Sequence, residues 1–159
     1  MEDFYYTTKE ENQAEFVEKH SRFIGYCKPI STEQEAIDFI NEKRKKHYDA
    51  THNVYAYSLK NDFIKRYSDD GEPQGTAGVP VLDVLNKNNV VNTVIVVTRY
   101  FGGIMLGAGG LVRAYSGAVK AGLDASVIIT KILGVKLHIE TDYTTFGKIQ
   151  YILAQRELK

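Results

Sequence analysis

Four consecutive β-branched residues, Val94-Ile95-Val96-Val97, constrain this chain more than any other feature. They sit in "NTVIVVTRY", and a run without polar alternation predicts a strand covered on both faces. The strand leads into "FGGIMLGAGG", where five of the chain's thirteen glycines fall between Gly102 and Gly110. Arg99 and Arg113 stand on either side of them. A helix of roughly 109–125 follows. The junction is therefore a glycine-rich passage from a buried strand into a helix.

The rest of the chain supplies elements to pack around that strand. "QAEFVEKHSRFIGYCKPI" holds two apolar stretches around Lys19-His-Ser-Arg22 and predicts a hairpin. "STEQEAIDFINEKRKKHY" predicts a helix, with Thr32 and Glu35 as a capping box and Ala36, Ile37 and Ile40 as its apolar stripe. Lys43, Arg44, Lys45 and Lys46 in its last turn either complement the helix dipole or form a ligand patch. "HNVYAYSLK" and "FIKRYS" predict a second strand pair bridged by Lys60-Asn-Asp62, followed by the turn-rich "SDDGEPQGTAGVP". "VPVLDVLNKNN" predicts a short helix with Pro80 in its first turn. "VKLHIE" at 135–140 alternates like a strand, and "TDYTTFGKIQYILAQREL" spaces Phe146, Ile149 and Leu153 like a helix. One strand and one helix cannot bury a core of their own, so a domain boundary is expected near Gly134.

Composition narrows the function classes. Hydrophobic residues are 43% and charged residues 25% of 159, as in a soluble globular chain of one domain and a fragment of another. Twenty acids balance twenty bases, so no global field draws the chain to nucleic acid and any polyanion site must be a local patch. The single cysteine, Cys27, excludes an intramolecular disulfide and a multi-cysteine zinc site. "MEDFYYTTKEENQ" is acidic and polar, unlike a secretory signal, and no apolar run reaches the ~20 residues that span a bilayer. A cytoplasmic protein with no membrane partner is expected.

The glycine stretch has the makings of an anion site, since free amides and the helix dipole point at one spot. On the following helix Arg113, Ser116, Lys120 and Asp124 share a polar stripe, while Leu111, Ala114, Tyr115, Ala118 and Leu123 face the core. Nucleotide loops fit poorly: there is no GxxxxGK[ST], and Gly107-Ala-Gly109 lacks the rest of a dinucleotide fingerprint. Small residues from 107 to 122 equally let the helix lie close on a sheet. Arg99 shares a strand face with Ile95, Val97 and Phe101, and a buried guanidinium demands a partner. Asp69, Asp70 and Glu72 are the expected suppliers, one carboxylate being held against Arg99 or Arg113. These acids lack the EF-hand pattern, and His20, His47, His52 and His138 lack metal-ligand spacing, so neither metal nor cofactor is expected. Nothing marks Cys27 as an activated nucleophile. His52 is the one weak candidate for a general base, against the reading of a structural histidine.

"SDDGEPQGTAGVPVLDVL" followed by "VIVVTRYFGGIMLGAGGLVRAY" resembles the signature of the Impact family, in its bacterial YigZ-like branch. The likeness runs through Asp70-Gly-Glu-Pro73, Gly78-Val-Pro80, Arg99-Tyr-Phe-Gly-Gly103, Leu106-Gly107 and Gly109-Gly-Leu111. It covers roughly residues 15–130, with "KHSRFIG" and "THNVYAY" fitting as well. The resemblance implies an α+β fold, an α/β sandwich like domain 2 of ribosomal protein S5 and domain IV of elongation factor G, over 1–134. It also implies that 135–159 are the first strand and helix of a ferredoxin-like domain, incomplete in the sequence as given. Eukaryotic relatives regulate translation by competing for the activator of an initiation-factor kinase, with help from a further domain. Small-molecule kinases of this fold carry a Gly-Leu-Gly-Ser-Ser loop that Leu106-Gly-Ala-Gly-Gly-Leu111 does not match.

Three functions follow as expectations. The first is a translation-associated regulatory protein, without catalysis, that binds RNA, the ribosome or a regulatory protein but shows no DNA specificity. Arg99, Tyr100, Gly102, Gly103, Gly109, Gly110, Arg113 and Lys120 would form its anion or RNA site, with Tyr100 or Tyr115 stacking on bases. The second is an enzyme acting on a small phosphorylated ligand or nucleotide through His52 and the acids at 69–72. The third is a protein-interaction module, marked by an exposed apolar patch at the mouth of the glycine loop.

Overall fold

The computed structural model describes residues 4–61 and 63–157. Met1 to Asp3 of the N-terminal stretch, Asp62 of the Lys60–Asp62 bridge and the last two residues lie outside them. The elements in order are β1 (Phe4–Thr8), β2 (Asn12–Glu18), β3 (Ser21–Pro29), α1 (Glu33–Lys46), β4 (His52–Leu59), β5 (Ile64–Ser68), α2 (Gly78–Lys87), β6 (Thr93–Tyr100), α3 (Gly107–Ser126), β7 (Ile128–Ile132) and α4 (Tyr143–Gln155).

The continuous apolar run becomes β6, the centre of a five-stranded sheet ordered β2-β3-β6-β4-β5, in which all pairs are antiparallel. Ile95 and Val97 pack with α2 and α3 on one face, and Val94 and Val96 with α1 on the other. All four are fully buried. An α+β domain with helices on both sides of the sheet results.

Local signals explain the boundaries. Lys19 and His20 take φ of 46° and 66°, the left-handed pair that closes a two-residue hairpin turn between β2 and β3. Thr32 Oγ1 accepts from the Glu35 amide at 3.2 Å, and the Glu35 carboxylate accepts from the Ser31 amide at 2.6 Å, opening α1. In its last turn Lys43 is buried: its ammonium bridges Glu11 and Glu42 and lies over the rings of Tyr26 and Phe39. That position is spent on structure.

Close packing of α3 requires glycine at 25. A side chain there would run into the carbonyl oxygen of Ala118, and one at Gly122 would come within 2.9 Å of the Gly25 oxygen. Cys27 lies buried in the same contact, and burial pushes its thiol up to about 12. At pH 8 only about one thiol in ten thousand is then the reactive thiolate. The native protein should resist a disulfide reagent at pH 8 and react rapidly in denaturant; fast labelling of the native chain would contradict this.

Three elements depart from expectation. The N-terminal residues, polar in composition, form β1, which pairs antiparallel with an unforeseen β7 from Phe4↔Ile132 to Thr8↔Ile128. Thr7 and Thr8 anchor it by placing their hydroxyls 3.3 and 3.2 Å from Thr93 Oγ1 at the start of β6. The strand expected over 135–140 is not formed, because among the described residues no strand pairs with it. Helix α4 forms as expected and buries none of its residues. No helix among the described residues is long and apolar enough to cross a membrane.

Candidate functional site

Strand pairing sets three chemically important residues abreast. Arg99, next to last in β6, stands opposite Phe23 of β3 on one side and His52 of β4 on the other. Its guanidinium packs over the rings of Phe23 and Phe101, at 5.5 and 5.6 Å. The loop between β5 and α2 then brings its three acids to separate tasks. Asp69 accepts the amides of Gly75, Ala77 and Gly78, holding the turn into α2. Asp70 accepts the Asn53 amide at 2.6 Å and lies 3.5 Å from Arg44. Glu72 is the partner of Arg99, at 2.6 Å, with both side chains buried.

Glu72 is shared further. The same oxygen, Oε1, accepts from the Tyr115 hydroxyl at 2.7 Å. Burial, then the Glu72 carboxylate, pushes that phenol well above its ordinary range, so Tyr115 remains a donor. The other oxygen, Oε2, lies 3.6 Å from His52 Nε2. His52 Nδ1 is 2.7 Å from the Asp70 carbonyl, which can only accept, so this nitrogen carries the proton in the neutral ring. Arg99 also donates to Ser21 Oγ at 3.3 Å, and the Gly102 amide donates to the same hydroxyl at 3.2 Å. A side chain at Gly102 would collide with the backbone of His20, so the first glycine of the stretch is required by its approach to the hairpin turn.

His52, Glu72 and Arg99 line a cleft of about 330 Å³ with Pro73, Met105, Leu106 and Leu111 among its walls. Its rim is apolar and open: Phe101 is 46% and Met105 81% exposed, with Ile104 exposed beside them. The acidic loop and the glycine stretch, far apart in sequence, thus form two walls of one site.

The residues expected to contact phosphate do not form one surface. Arg99 is inside and neutralised, and Tyr115 is fully buried, so neither offers itself to RNA. Tyr100 points to the opposite sheet face, its hydroxyl donating to Asp49 at 3.1 Å and lying 2.7 Å from His47 Nδ1. Gly103 and Gly109 are exposed, and Gly102 and Gly110 partly so. Arg113 and Lys120 remain exposed on α3, and neither is held in an ion pair among the described residues. The Arg113 guanidinium folds back to the helix start, where a side chain at Gly109 would lie 3.3 Å from its Nη1. No side chain caps that start. Tyr115 faces the core as its helical position predicts, which excludes the stacking role; Ser21 carries no signal in the sequence, being a lone serine in a hairpin.

Residues 19–123 match the family model described as the Impact N-terminal domain. The IMPACT family member YvyE of Bacillus subtilis is 49% identical over 154 residues, spanning 96% of this chain and 71% of its own. The IMPACT family member YigZ of Escherichia coli is 36% identical over 140 residues, spanning 86% and 69%. A crystal structure of a hypothetical protein superposes with a TM-score of 0.77 at 32% identity, over 98% of this chain and 77% of that one.

Proposed function

This chain belongs to the Impact family, and we propose that it is a translation-associated regulatory protein of the cytoplasm that binds RNA, most directly on the ribosome, without catalysis. The observation that carries the reading is the exposed start of α3. Its uncapped amides, the Arg113 guanidinium folded against Gly109 and Lys120 two turns on lie along one face of the helix. Seven residues of helix separate the two cations by about 10 Å, a spacing suited to successive phosphates of an RNA strand. Arg99 belongs to the frame that holds this helix start. On the same reading, residues 1–134 form the unit like domain 2 of ribosomal protein S5, and 135–159 open a ferredoxin-like domain.

A ribosome sedimentation experiment tests this. Wild type should travel with ribosomes at low salt and be released at high salt, and Arg113→Ala should retain several-fold less at the same salt. Equal retention of both proteins would remove the helix start from the interface.

One observation favours a second reading, a regulatory protein partner. Phe101, Ile104 and Met105 form an exposed apolar rim on the same glycine stretch. Chemistry on a phosphorylated ligand draws less support, because Glu72 already neutralises the cation nearest His52.

A further inference from the structure

We propose that the cleft between the acidic loop and the glycine stretch is a receptor for a primary alkylammonium group. The inference is independent of RNA binding at α3. It begins from what the enclosed heteroatoms can accept or donate. Glu72 Oε1 is saturated by Arg99 and Tyr115, whereas Oε2 has His52 Nε2 at 3.6 Å and no hydrogen bond among the described residues. In the neutral ring the proton sits on Nδ1, against the Asp70 carbonyl. Nε2 therefore presents a lone pair. Two acceptors face each other across a gap too wide for a direct bond, and each lacks a donor.

A donor that bridges them from the cleft must offer two hydrogens in different directions. A hydroxyl offers one; an ammonium offers three. Charge leaves the choice to these acceptors: among the residues lining the cleft, the Glu72 carboxylate and the Arg99 guanidinium cancel. Nη1 and Nη2 of Arg99 are engaged by Glu72 and Ser21, and Nε, although without a partner among the described residues, is sealed from solvent, so the interior offers an anion no accessible donor. The amides of Gly107 and Ala108 stand at the exposed rim instead.

The walls select what carries the ammonium. Phe101, Met105, Leu106 and Leu111 would cover a hydrocarbon chain of a few methylenes, as such walls cover lysine stems elsewhere. A cleft of about 330 Å³ holds such a chain with room to spare. The group could come from a lysine of a partner protein or from a free small amine, and the chemistry of recognition is the same.

Calorimetric titration of the full chain with n-butylammonium, n-butanol and butyrate tests the proposal, with the His52 ring resonances followed by NMR. Charge-assisted hydrogen bonds should make n-butylammonium bind about tenfold more tightly than n-butanol, with butyrate weakest and the His52 resonances shifting only with the amine. Equal affinity for alcohol and amine, preference for butyrate, or no saturable binding would each overturn it. Glu72→Gln should abolish the preference for amine. Because that variant disturbs Arg99, Met105→Ser at the exposed rim is the second variant, expected to weaken butylammonium while leaving the fold intact. Tighter binding of Nα-acetyl-lysine amide than of butylammonium would identify the source as a partner's lysine. The reverse order would identify a free amine.

Discussion

Glu72→Ala is expected to lower the unfolding free energy by about 3–5 kcal/mol, the cost of removing one partner from a buried ion pair. Arg99 would keep a single hydrogen bond to Ser21 Oγ at 3.3 Å, while its Nε already lacks a partner. The Tyr115 hydroxyl, fully buried, would lose its acceptor at the same time. Both costs fall on groups that are buried in the native protein. Replacing the pair together, with Glu72→Met and Arg99→Met, should cost markedly less than Glu72→Ala, since no unpaired charge remains. Denaturant unfolding of the three variants measures this. A loss below about 1 kcal/mol for Glu72→Ala would mean that the pair is relaxed by solvent, as exposed pairs are.

Gly25→Ala should be the next most damaging single change. Its Cβ would enter the space of the Ala118 carbonyl, with Gly122 packed in return against Gly25. Neither side is the movable tip of a side chain. The helix must lift from β3, and Phe23, Cys27, Tyr115 and Ala118 share the core that would open. Overpacking costs about 1–3 kcal/mol where side chains can adjust, and a backbone clash belongs at the top of that range or above it. Gly134→Ala is the control, because nothing lies within 4 Å of the added atom. It should change stability by less than about 0.5 kcal/mol. Equal thermal shifts for the two variants would contradict the packing account.

The legible parts of the fold were those where one physical demand leaves one solution. An apolar run without alternation must be covered twice, and β6 is buried against helices on both faces. A guanidinium at the end of that run must be paired, and the acidic loop supplies Glu72. The pairing of β1 with β7 is illegible because it joins two short strands far apart in the sequence, with β1 anchored on Thr93. The strand expected at 135–140 rests on alternation and on the family resemblance, and alternation marks the faces of a strand without providing a neighbour.

The candidate site was legible in its parts more than in its assembly. Both motifs that line the cleft stand out in the sequence, but the strand pattern buries Arg99 while a phosphate contact needs it exposed. Only one of those roles is open to a side chain paired at 2.6 Å inside the core. Tyr115 shows the same conflict: its helical position faces the core, and stacking on a base would require the opposite. Arg113 and Lys120, on the solvent side of α3, keep the freedom that phosphate binding needs.

The central claim is that α3 presents a phosphate-binding face, and the salt dependence of single-stranded RNA binding tests it most directly. Log affinity plotted against log salt should fall linearly for wild type. Arg113→Ala should bind more weakly across RNA sequences and lose about 0.7–1 from the magnitude of the slope, the share of one phosphate contact. A slope near zero for wild type, or identical slopes for the two proteins, would contradict it.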